Sequence, residues 1–392
     1  MKIAIFVQWM LCGGVENALI ALTKKIAEFG NDITIYMILE KGDFVKKIPE
    51  QVCKKQIPMS EKVRRSIPVG GSKVAIRESF YKHQYQKAVY WTVRHIVNKE
   101  KFAELNVNFD KIPKLQQHYD IAVNYHIHSP FLVRYLFEKV SADKKFTWIH
   151  NDFETTQYDV RVLKKYLDCI NRFYGVSQKL VDEFVKIFPE YESKTEVALN
   201  IVPIEEIKKK AELEYPKEFL GLSQNITKIL TVGRLEEQKG YDIALNVCKN
   251  LVEENLEIEW FVIGEGTLKE KLKSESKKLG IEKYFHFVGV KMNPYPYFKN
   301  CDIYVQTSKH EGWGIAITEA KILGKPIVTT DFAGAREQLN DGISGDIAQI
   351  SKESVAEKLR RLIKDKKRQK QYIEKLKKEN ISDYPEWLEA FK

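Results

Sequence analysis

The chain has 392 residues, of which 44% are hydrophobic and 30% are charged. This composition is that of a folded globular protein and excludes a disordered or fibrous chain, and no apolar run approaches the roughly 18 residues that a membrane-spanning helix needs. Because a single hydrophobic core stops growing at about 250–300 residues, the length predicts two domains of similar size.

The formal net charge of +10 is concentrated in one segment. Residues 41–115 contain 17 Lys and Arg against 7 Asp and Glu, which leaves 47 residues of each sign in the rest of the chain. Aromatic residues are interspersed there: Phe80, Tyr81, Tyr85, Tyr90, Trp91 and Phe102. Two interpretations stay open. The segment lies on an anionic membrane or binds an anionic acceptor, or it is a solvated helical face whose aromatic side chains pack inward.

Short β-rich segments alternate with helical patterns from end to end, which is typical of parallel sheets with crossover helices. The predicted strands of the first half are 2–7, 32–38, 121–124, 146–149, 173–176 and 196–199. Those of the second half are 228–232, 259–263, 285–288, 303–305 and 326–329. The pattern therefore predicts an α/β chain of two doubly wound, Rossmann-like domains, with a boundary between Asn200 and about Gln224.

The cysteines give no sign of a disulfide framework or a zinc site. They are five in number, scattered and without Cys-x-x-Cys spacing: Cys12, Cys53, Cys169, Cys248 and Cys301. No His-Glu-x-x-His helix is present, so we expect no dedicated metal site. The chain starts directly with a predicted strand instead of a signal peptide. We therefore expect a cytoplasmic protein, either free or peripheral at the inner face of the plasma membrane.

The most informative motif is a glycine-rich turn between two carboxylates. Gly312 and Gly314 can open a tight turn from a strand into a helix. The unpaired amides of that helix, near Gly314 and Ile315, suit an anionic phosphate. Glu311 precedes the turn and Glu319 lies about one turn inside the helix, so the pair suits the two diols of a nucleotide sugar. By spacing alone, two such Glu are more often solvated surface charges.

A second motif follows the first predicted strand of the second half. Arg234 and Lys239 lie five residues apart in a loop bounded by Gly233 and Gly240. Both cations can face a diphosphate and supply the charge that other enzymes take from a divalent metal. The alternative is a solvated turn with an incidental lysine.

Polar and small residues also follow other predicted strands, at the carboxyl edge where open α/β sheets bind ligands. Gly13 and Gly14 follow the first strand, and Gly264 follows the second strand of the second half. His150 follows strand 146–149, although a lone His is more often structural. His126 and His128, at the end of the preceding strand, are secondary candidates that rank below His150.

Together these motifs resemble those of glycosyltransferase family 4, retaining enzymes of the GT-B fold. The segment 310–334 resembles the Glu-x7-Glu motif of the family, the loop 231–240 its Gly-Arg and Lys-Gly element, and Gly13-Gly14-Val15-Glu16 its Gly-Gly-x-Glu element. The resemblance covers essentially the whole chain and is weakest over residues 41–115.

The resemblance implies roles for individual side chains. Arg234 and Lys239 form the clamp on the leaving group, Glu319 holds the ribose, and Glu311 holds the hydroxyls of the transferred sugar. His150 contacts the sugar from the other domain. No protein nucleophile is implied, because the departing phosphate oxygen helps to deprotonate the acceptor. The implied donor-binding set is Gly13, Gly14, Gly233, Gly264, Val290, Lys291, Gly314, Ile315 and Glu319, with the base beside Val290 and Lys291.

We therefore expect a retaining glycosyltransferase that moves a hexose or N-acetylhexosamine from a nucleotide diphosphate sugar to an acceptor hydroxyl. UDP is the favoured nucleotide, no metal is required, and no nucleic acid is bound. The acceptor is a lipid-linked saccharide or a cell-surface polysaccharide precursor. Residues 1–200 form the acceptor-binding domain, 201–375 the donor-binding domain, and a final helix, 376–392, packs back on the first. The alternatives are a non-catalytic nucleotide-sugar-binding protein or another GT-B enzyme such as a phosphorylase or epimerase.

Overall fold

The computed structural model describes residues 1–392 apart from 12, 68–88, 90, 91, 93–103, 105, 106, 154–159, 380 and 383. The chain divides into two compact units. The N-terminal unit contains Met1–Leu199 and Glu386–Lys392, and the C-terminal unit contains Asn200–Pro385. The division after Leu199 lies one residue before the predicted domain boundary.

The N-terminal unit is built on a seven-stranded parallel sheet. Its strands are β1 (Lys2–Val7), β2 (Asp32–Met37), β3 (Cys53–Gln56), β4 (His118–Asn124), β5 (Ser141–Ile149), β6 (Arg172–Gly175) and β7 (Thr195–Val197). Its described helices include α1 (Gly14–Ala27), α2 (Glu61–Ser66), α3 (Pro130–Lys139), α4 (Lys164–Leu167) and α5 (Gln178–Ile187). The strand order is β3-β2-β1-β4-β5-β6-β7, so the order reverses between β1 and β4.

The C-terminal unit is built on a six-stranded parallel sheet. Its strands are β8 (Thr227–Val232), β9 (Ile258–Ile263), β10 (Phe285–Gly289), β11 (Ile303–Gln306), β12 (Ile327–Thr330) and β13 (Asp346–Ala348). Its helices include α6 (Ile204–Ala211), α7 (Tyr241–Glu253), α8 (Lys269–Lys278), α9 (Tyr295–Asn300), α10 (Ile315–Ile322), α11 (Ala335–Gln338), α12 (Lys352–Lys364) and α13 (Lys366–Lys378). The order β10-β9-β8-β11-β12-β13 reverses between β8 and β11.

Both faces of each sheet are covered, which explains why the strands read as continuous apolar runs. In β1, Ile3 to Val7 are all buried. In β9, the neighbouring residues Trp260 and Phe261 point to opposite faces and belong to two separate apolar clusters. The prediction of two doubly wound α/β domains is confirmed, and each of the eleven predicted strands corresponds to an observed one.

Two strands were not predicted. β3 is an exposed edge strand with the sequence Cys-Lys-Lys-Gln, so neither burial nor alternation marks it. β13 contains only three residues. Its place is fixed instead by charge, because the buried Asp346 carboxylate accepts hydrogen bonds from Arg361 at 2.6 Å and from Arg368 at 3.2 Å. These contacts attach α12 and α13 to the edge of the C-terminal sheet.

The prediction of a final helix over 376–392 needs correction. Helix α13 ends at Lys378 and belongs to the C-terminal unit, because Leu376 packs in an apolar cluster of that unit. The segment that joins the N-terminal unit is a short 3-10 helix, Glu386–Phe391. Its Trp387 and Phe391 rings lie 5.7 and 6.3 Å from the Trp148 ring.

None of the described helices is both long enough and apolar enough to span a bilayer.

The 3-10 helix at the C terminus should contribute strongly to the stability of the N-terminal unit. Phe391 is fully buried and its ring contacts those of Phe146 and Trp148. We expect Phe391→Ala to reduce the free energy of unfolding by roughly 3–4 kcal/mol, measured by urea denaturation. Phe137→Ala is the control, because Phe137 is 42% exposed and should cost less than half as much. Equal losses for the two variants would show that the terminal helix is only loosely attached.

Candidate functional site

Backbone contacts join three loops at the carboxyl edge of the C-terminal sheet. The amide of Gly233 donates to the carbonyl of Ile263 at 2.9 Å, and the amide of Gly264 donates to that of Gly289 at 3.0 Å. Gly264 has φ +151°, and a Cβ there would lie 1.9 Å from the Gly233 oxygen. Only glycine permits this approach, so the loops after β8, β9 and β10 are held in contact.

A second set of contacts joins the loops after β8 and β11, where the strand order reverses. Gly240 has φ +64°, and a Cβ on it would lie 2.0 Å from the Thr307 carbonyl oxygen. The Thr307 hydroxyl donates to the Lys239 carbonyl at 3.0 Å, and the Lys309 amide donates to the Gln238 carbonyl at 2.7 Å. The loop that carries Lys239 is therefore fixed against the segment that leads to the glycine-rich turn.

These contacts bring two predicted site residues together. The Lys239 ammonium donates a hydrogen bond to Glu311 Oε1, and the two side chains are only 17% and 13% exposed. Burial, followed by repulsion from the Arg234 guanidinium, lowers the pKa of Lys239, whereas the Glu311 carboxylate favours its charged form. A ligand that binds either group must therefore replace this pairing with one of its own.

The glycine-rich turn opens α10 as predicted. Gly314 precedes the helix with φ +82°, and a Cβ there would lie 2.9 Å from the Phe332 ring and 3.0 Å from Gln306 Nε2. Any other residue would be strained and would collide with this packing. The helix begins at Ile315, and the first amides of a helix have no acceptor within it. Gly314 and Ile315 thus stand where an anion is stabilised by the helix dipole.

Glu319 lies inside α10 and is buried, and it is not the solvated surface charge that its spacing alone favoured. The Tyr295 hydroxyl donates to Glu319 Oε1 at 3.2 Å. Burial and the adjacent Glu319 charge raise the pKa of Tyr295, so its hydroxyl remains a donor. This contact was not predicted, since Tyr295 lies 24 residues before Glu319 and no sequence motif connects them.

The predicted base-binding segment also has an unpredicted partner. Glu218 accepts hydrogen bonds from the Lys291 ammonium at 2.9 Å and from the Tyr297 hydroxyl. Partial burial raises the pKa of Glu218, but these two hydrogen bonds outweigh it and lower the pKa overall. Lys291 is thereby held in place, while the neighbouring Val290 side chain is 40% exposed.

In the N-terminal unit, His150 follows β5 and is buried. Its Nε2 has no hydrogen-bond partner in the part of the chain that the structure describes. Burial, followed by repulsion from His126 and His128, lowers the pKa of His150 well below its usual value, so the ring is neutral. The His126 ring centroid lies 5.5 Å from that of His150. His128 Nε2 donates to the Asn151 carbonyl at 2.9 Å, which gives that side chain a structural contact.

Gly13 and Gly14 stand at the start of α1, as the sequence predicted. Gly13 precedes the helix, and Gly14 is its first residue. A Cβ on Gly13 would lie 2.5 Å from Glu16 Oε2, so the Glu16 carboxylate folds back over this glycine. A Cβ at residue 13 would displace only the end of the flexible Glu16 side chain, so this contact alone does not require glycine.

A buried carboxylate that sequence reasoning missed lies where the N-terminal strand order reverses. Glu104 accepts hydrogen bonds from the Ser129 hydroxyl at 3.1 Å and the Phe131 amide at 3.2 Å, with Gln8 Nε2 at 3.4 Å. Burial outweighs these hydrogen bonds and raises the pKa of Glu104 to about 7. It belongs to the basic segment 41–115, whose named aromatic residues all lie outside the described residues.

Residues 214–379 match the family model described as "Glycosyl transferases group 1". The matched region contains Arg234, Lys239, Glu311 and Glu319, and it extends to the end of α13.

Two relatives show similar coverage. The N-acetylgalactosamine-N,N'-diacetylbacillosaminyl-diphospho-undecaprenol 4-alpha-N-acetylgalactosaminyltransferase of Campylobacter jejuni is 28% identical over 199 residues, which is 50% of this chain and 52% of that protein. An uncharacterized 41.2 kDa protein in the cps region of Klebsiella pneumoniae is 30% identical over 247 residues, 56% of this chain and 63% of that protein. The chain thus spans between about half and two thirds of the length of these relatives.

Among solved structures, Anabaena HepE in complex with UDP-glucose is similar over 96% of this chain and 93% of its own, with a TM-score of 0.69 and 17% sequence identity. At this identity the similarity shows the fold. The predicted GT-B class, with two Rossmann-like domains, is confirmed by this similarity and by the two parallel sheets.

Glu104 should make the stability of the N-terminal unit depend on pH. Because its pKa rises from 4.5 to about 7 on folding, the folded protein keeps a proton that the unfolded chain loses between these values. Stability then falls as pH rises through that range, by about 3 kcal/mol in total. We expect Glu104→Gln to remove this decline, measured as the difference from wild type in unfolding free energy at pH 5 and pH 8. Glu28→Gln, at an exposed site, is the control, and a parallel pH response in wild type and Glu104→Gln would refute the assignment.

Proposed function

We propose that the protein is a retaining glycosyltransferase that transfers a hexose or N-acetylhexosamine from a nucleotide diphosphate sugar to an acceptor hydroxyl. The observation that carries the proposal is the partly buried Lys239 and Glu311 pair beside the amino end of α10. It supplies an exchangeable cation and a carboxylate at the carboxyl edge of a sheet, within the region that matches group 1 glycosyltransferases.

The cationic part of this site fits a diphosphate. Arg234, Lys239 and the amides of Gly314 and Ile315 together offer a guanidinium, an amine that a bound diphosphate would hold in its charged form, and the positive end of a helix dipole. When the bond between the anomeric carbon and the phosphate oxygen breaks, these groups stabilise the charge on the departing diphosphate. The acceptor oxygen forms the new bond on the same face of the sugar, and its proton passes to the leaving phosphate oxygen.

The carboxylates then bind the two sugars of the donor. As the diphosphate pairs with Lys239, the Glu311 carboxylate is released to accept hydrogen bonds from hydroxyls of the transferred sugar. Glu319 accepts the ribose hydroxyls, with its carboxylate plane fixed by Tyr295. The neutral ring of His150 suits a sugar hydroxyl, because its Nε2 lacks a partner among the described residues.

UDP is the nucleotide that the comparisons favour, because HepE was solved with UDP-glucose. For the acceptor, the C. jejuni relative is named for a diphospho-undecaprenol-linked saccharide. A lipid-linked saccharide at the inner face of the plasma membrane fits the basic character of residues 41–115. A protein that binds nucleotide sugars without transferring them remains the second candidate, since it needs Glu319 but no turnover.

The two glutamates should separate binding from turnover. We expect Glu319→Ala to weaken UDP binding at least tenfold, because it removes a buried acceptor for the ribose, as measured by isothermal titration calorimetry. Glu311→Gln should leave UDP affinity within about threefold yet lower the rate of sugar transfer or donor hydrolysis about 100-fold. The exposed Glu282→Ala is the matched control.

The assay of sugar transfer and donor hydrolysis should use a panel of UDP-, GDP-, ADP- and dTDP-sugars as donors, with lipid-linked saccharides as acceptors. If the wild-type protein binds UDP but gives neither transfer nor slow hydrolysis with any donor, the protein is a non-catalytic nucleotide-sugar-binding protein and the proposed enzymatic function is wrong. If Glu319→Ala also binds UDP like wild type, the assignment of the nucleotide site is wrong.

Membrane association is tested separately. We expect the protein to float with vesicles that contain anionic lipid and to lose this binding between 0.1 and 0.5 M salt, chosen to span about a twofold decrease in Debye length. Neutral vesicles are the control. If the fraction of protein that floats depends on neither lipid charge nor salt concentration, the basic segment does not bind the membrane electrostatically.

A further inference from the structure

A closed ring of three hydrogen bonds lies behind the glycine-rich turn. The Trp313 indole Nε1 donates to Thr318 Oγ1 at 3.1 Å, and the Thr318 hydroxyl donates to Gln338 Oε1 at 2.8 Å. The Gln338 side-chain amide nitrogen then donates to the Trp313 carbonyl oxygen. The ring connects the turn to α10 and to the last residue of α11.

The direction of every bond in this ring is forced by chemistry. An indole nitrogen can only donate, so Thr318 must accept there and use its single proton toward Gln338. That requirement places the Gln338 oxygen toward Thr318 and its nitrogen toward Trp313. Thr318 and Gln338 are 7% and 4% exposed, so a broken ring would leave polar groups buried without partners.

The turn is also packed tightly against α11. A Cβ on Gly334, the residue before that helix, would lie 2.8 Å from the Gly312 carbonyl oxygen and 3.1 Å from the Trp313 ring. In addition, the Lys321 ammonium donates a hydrogen bond to the Gln338 backbone carbonyl at 2.6 Å. Gln338 is thereby held at both its side chain and its main chain.

The hydrogen bond to the Trp313 carbonyl has a direct consequence for anion binding. The carbonyl of Trp313 and the amide N–H of Gly314 belong to one planar peptide group and point in opposite directions. A bond that fixes the carbonyl therefore fixes the direction of the Gly314 N–H. This N–H is one of the groups at the start of α10 that suit the donor diphosphate.

We propose that Gln338, oriented by Thr318 and Trp313, is a positioning residue that aims the Gly314 amide at the diphosphate of the donor. The inference rests on the proposed function, and it adds a specific prediction. Loss of the ring weakens recognition of the phosphates and leaves recognition of the nucleoside intact, because Glu319 and the segment at Val290 and Lys291 do not depend on the Trp313 peptide plane.

The test compares UDP with uridine in three variants. Gln338→Met keeps the length of the side chain but removes its donor and acceptor, Thr318→Val removes only the hydroxyl, and Thr318→Ser restores it. We expect Gln338→Met to weaken UDP binding about tenfold, Thr318→Val several-fold and Thr318→Ser less than twofold, with uridine affinity unchanged in all. Gln369→Met, at another buried glutamine of the same unit, is the matched control.

Trp313 provides a readout that does not depend on any nucleotide. Its emission, obtained in each background as the difference from the matching Trp313→Phe variant, should change in Gln338→Met, because the Thr318 hydroxyl that accepts from the indole N–H and the Trp313 carbonyl both lose their contact to Gln338. Each variant is also checked for a thermal transition within a few degrees of wild type. If Gln338→Met does not fold, Thr318→Val carries the comparison.

The outcomes separate the two hypotheses. A wild-type chain that binds no nucleotide defeats the proposed function and the positioning role together. Wild-type UDP binding that Gln338→Met retains in full overturns the positioning role alone. Equal loss of UDP and uridine affinity also overturns it, because a general structural defect would then explain the effect.

Discussion

The close approach of backbone to backbone at the carboxyl edge of the C-terminal sheet is the constraint on which the candidate site depends. Gly264 against Gly233, and Gly240 against Thr307, leave no room for a Cβ. The first contact holds together the loops after β8 and β9, and the second joins the loops after β8 and β11, where the strand order reverses. Side chains from loops that are far apart in the sequence can then come into contact at a small additional cost in conformational entropy, because the main chain that carries them is already fixed.

Burial determines how those side chains behave. An exposed lysine and glutamate would contribute little, but Lys239 and Glu311 are partly removed from water, where pairing compensates for lost hydration. The same argument applies to Glu319 with Tyr295 and to the ring of Trp313, Thr318 and Gln338. In each case a polar group already has a hydrogen-bond partner, so its position is set before a ligand binds.

The sequence predicted the parts of this arrangement that leave a local pattern. Continuous apolar strands, glycines at strand ends and the turn before α10 were found where periodicity and spacing placed them. Partners such as Tyr295, Glu218 and Glu104 were missed, because they approach their targets only through the tertiary fold and have no fixed spacing in the chain. The end of the chain was misjudged for a related reason. Lys-rich α13 has a helical pattern, but its attachment depends on Asp346, a residue of an unpredicted three-residue strand.

Competition for one cation links the geometry to the proposed chemistry. Because Lys239 is paired with Glu311, neither the ammonium nor the carboxylate is free at this point. A diphosphate carries more charge than one carboxylate and can draw the ammonium away, which releases Glu311 only when a donor is present. A sugar without its diphosphate gains no such exchange, because Glu311 then keeps its cation. Under the proposed function, the partly buried ion pair would favour the intact nucleotide sugar over the free sugar, because part of the binding energy of the diphosphate would be used to prepare the carboxylate for the sugar.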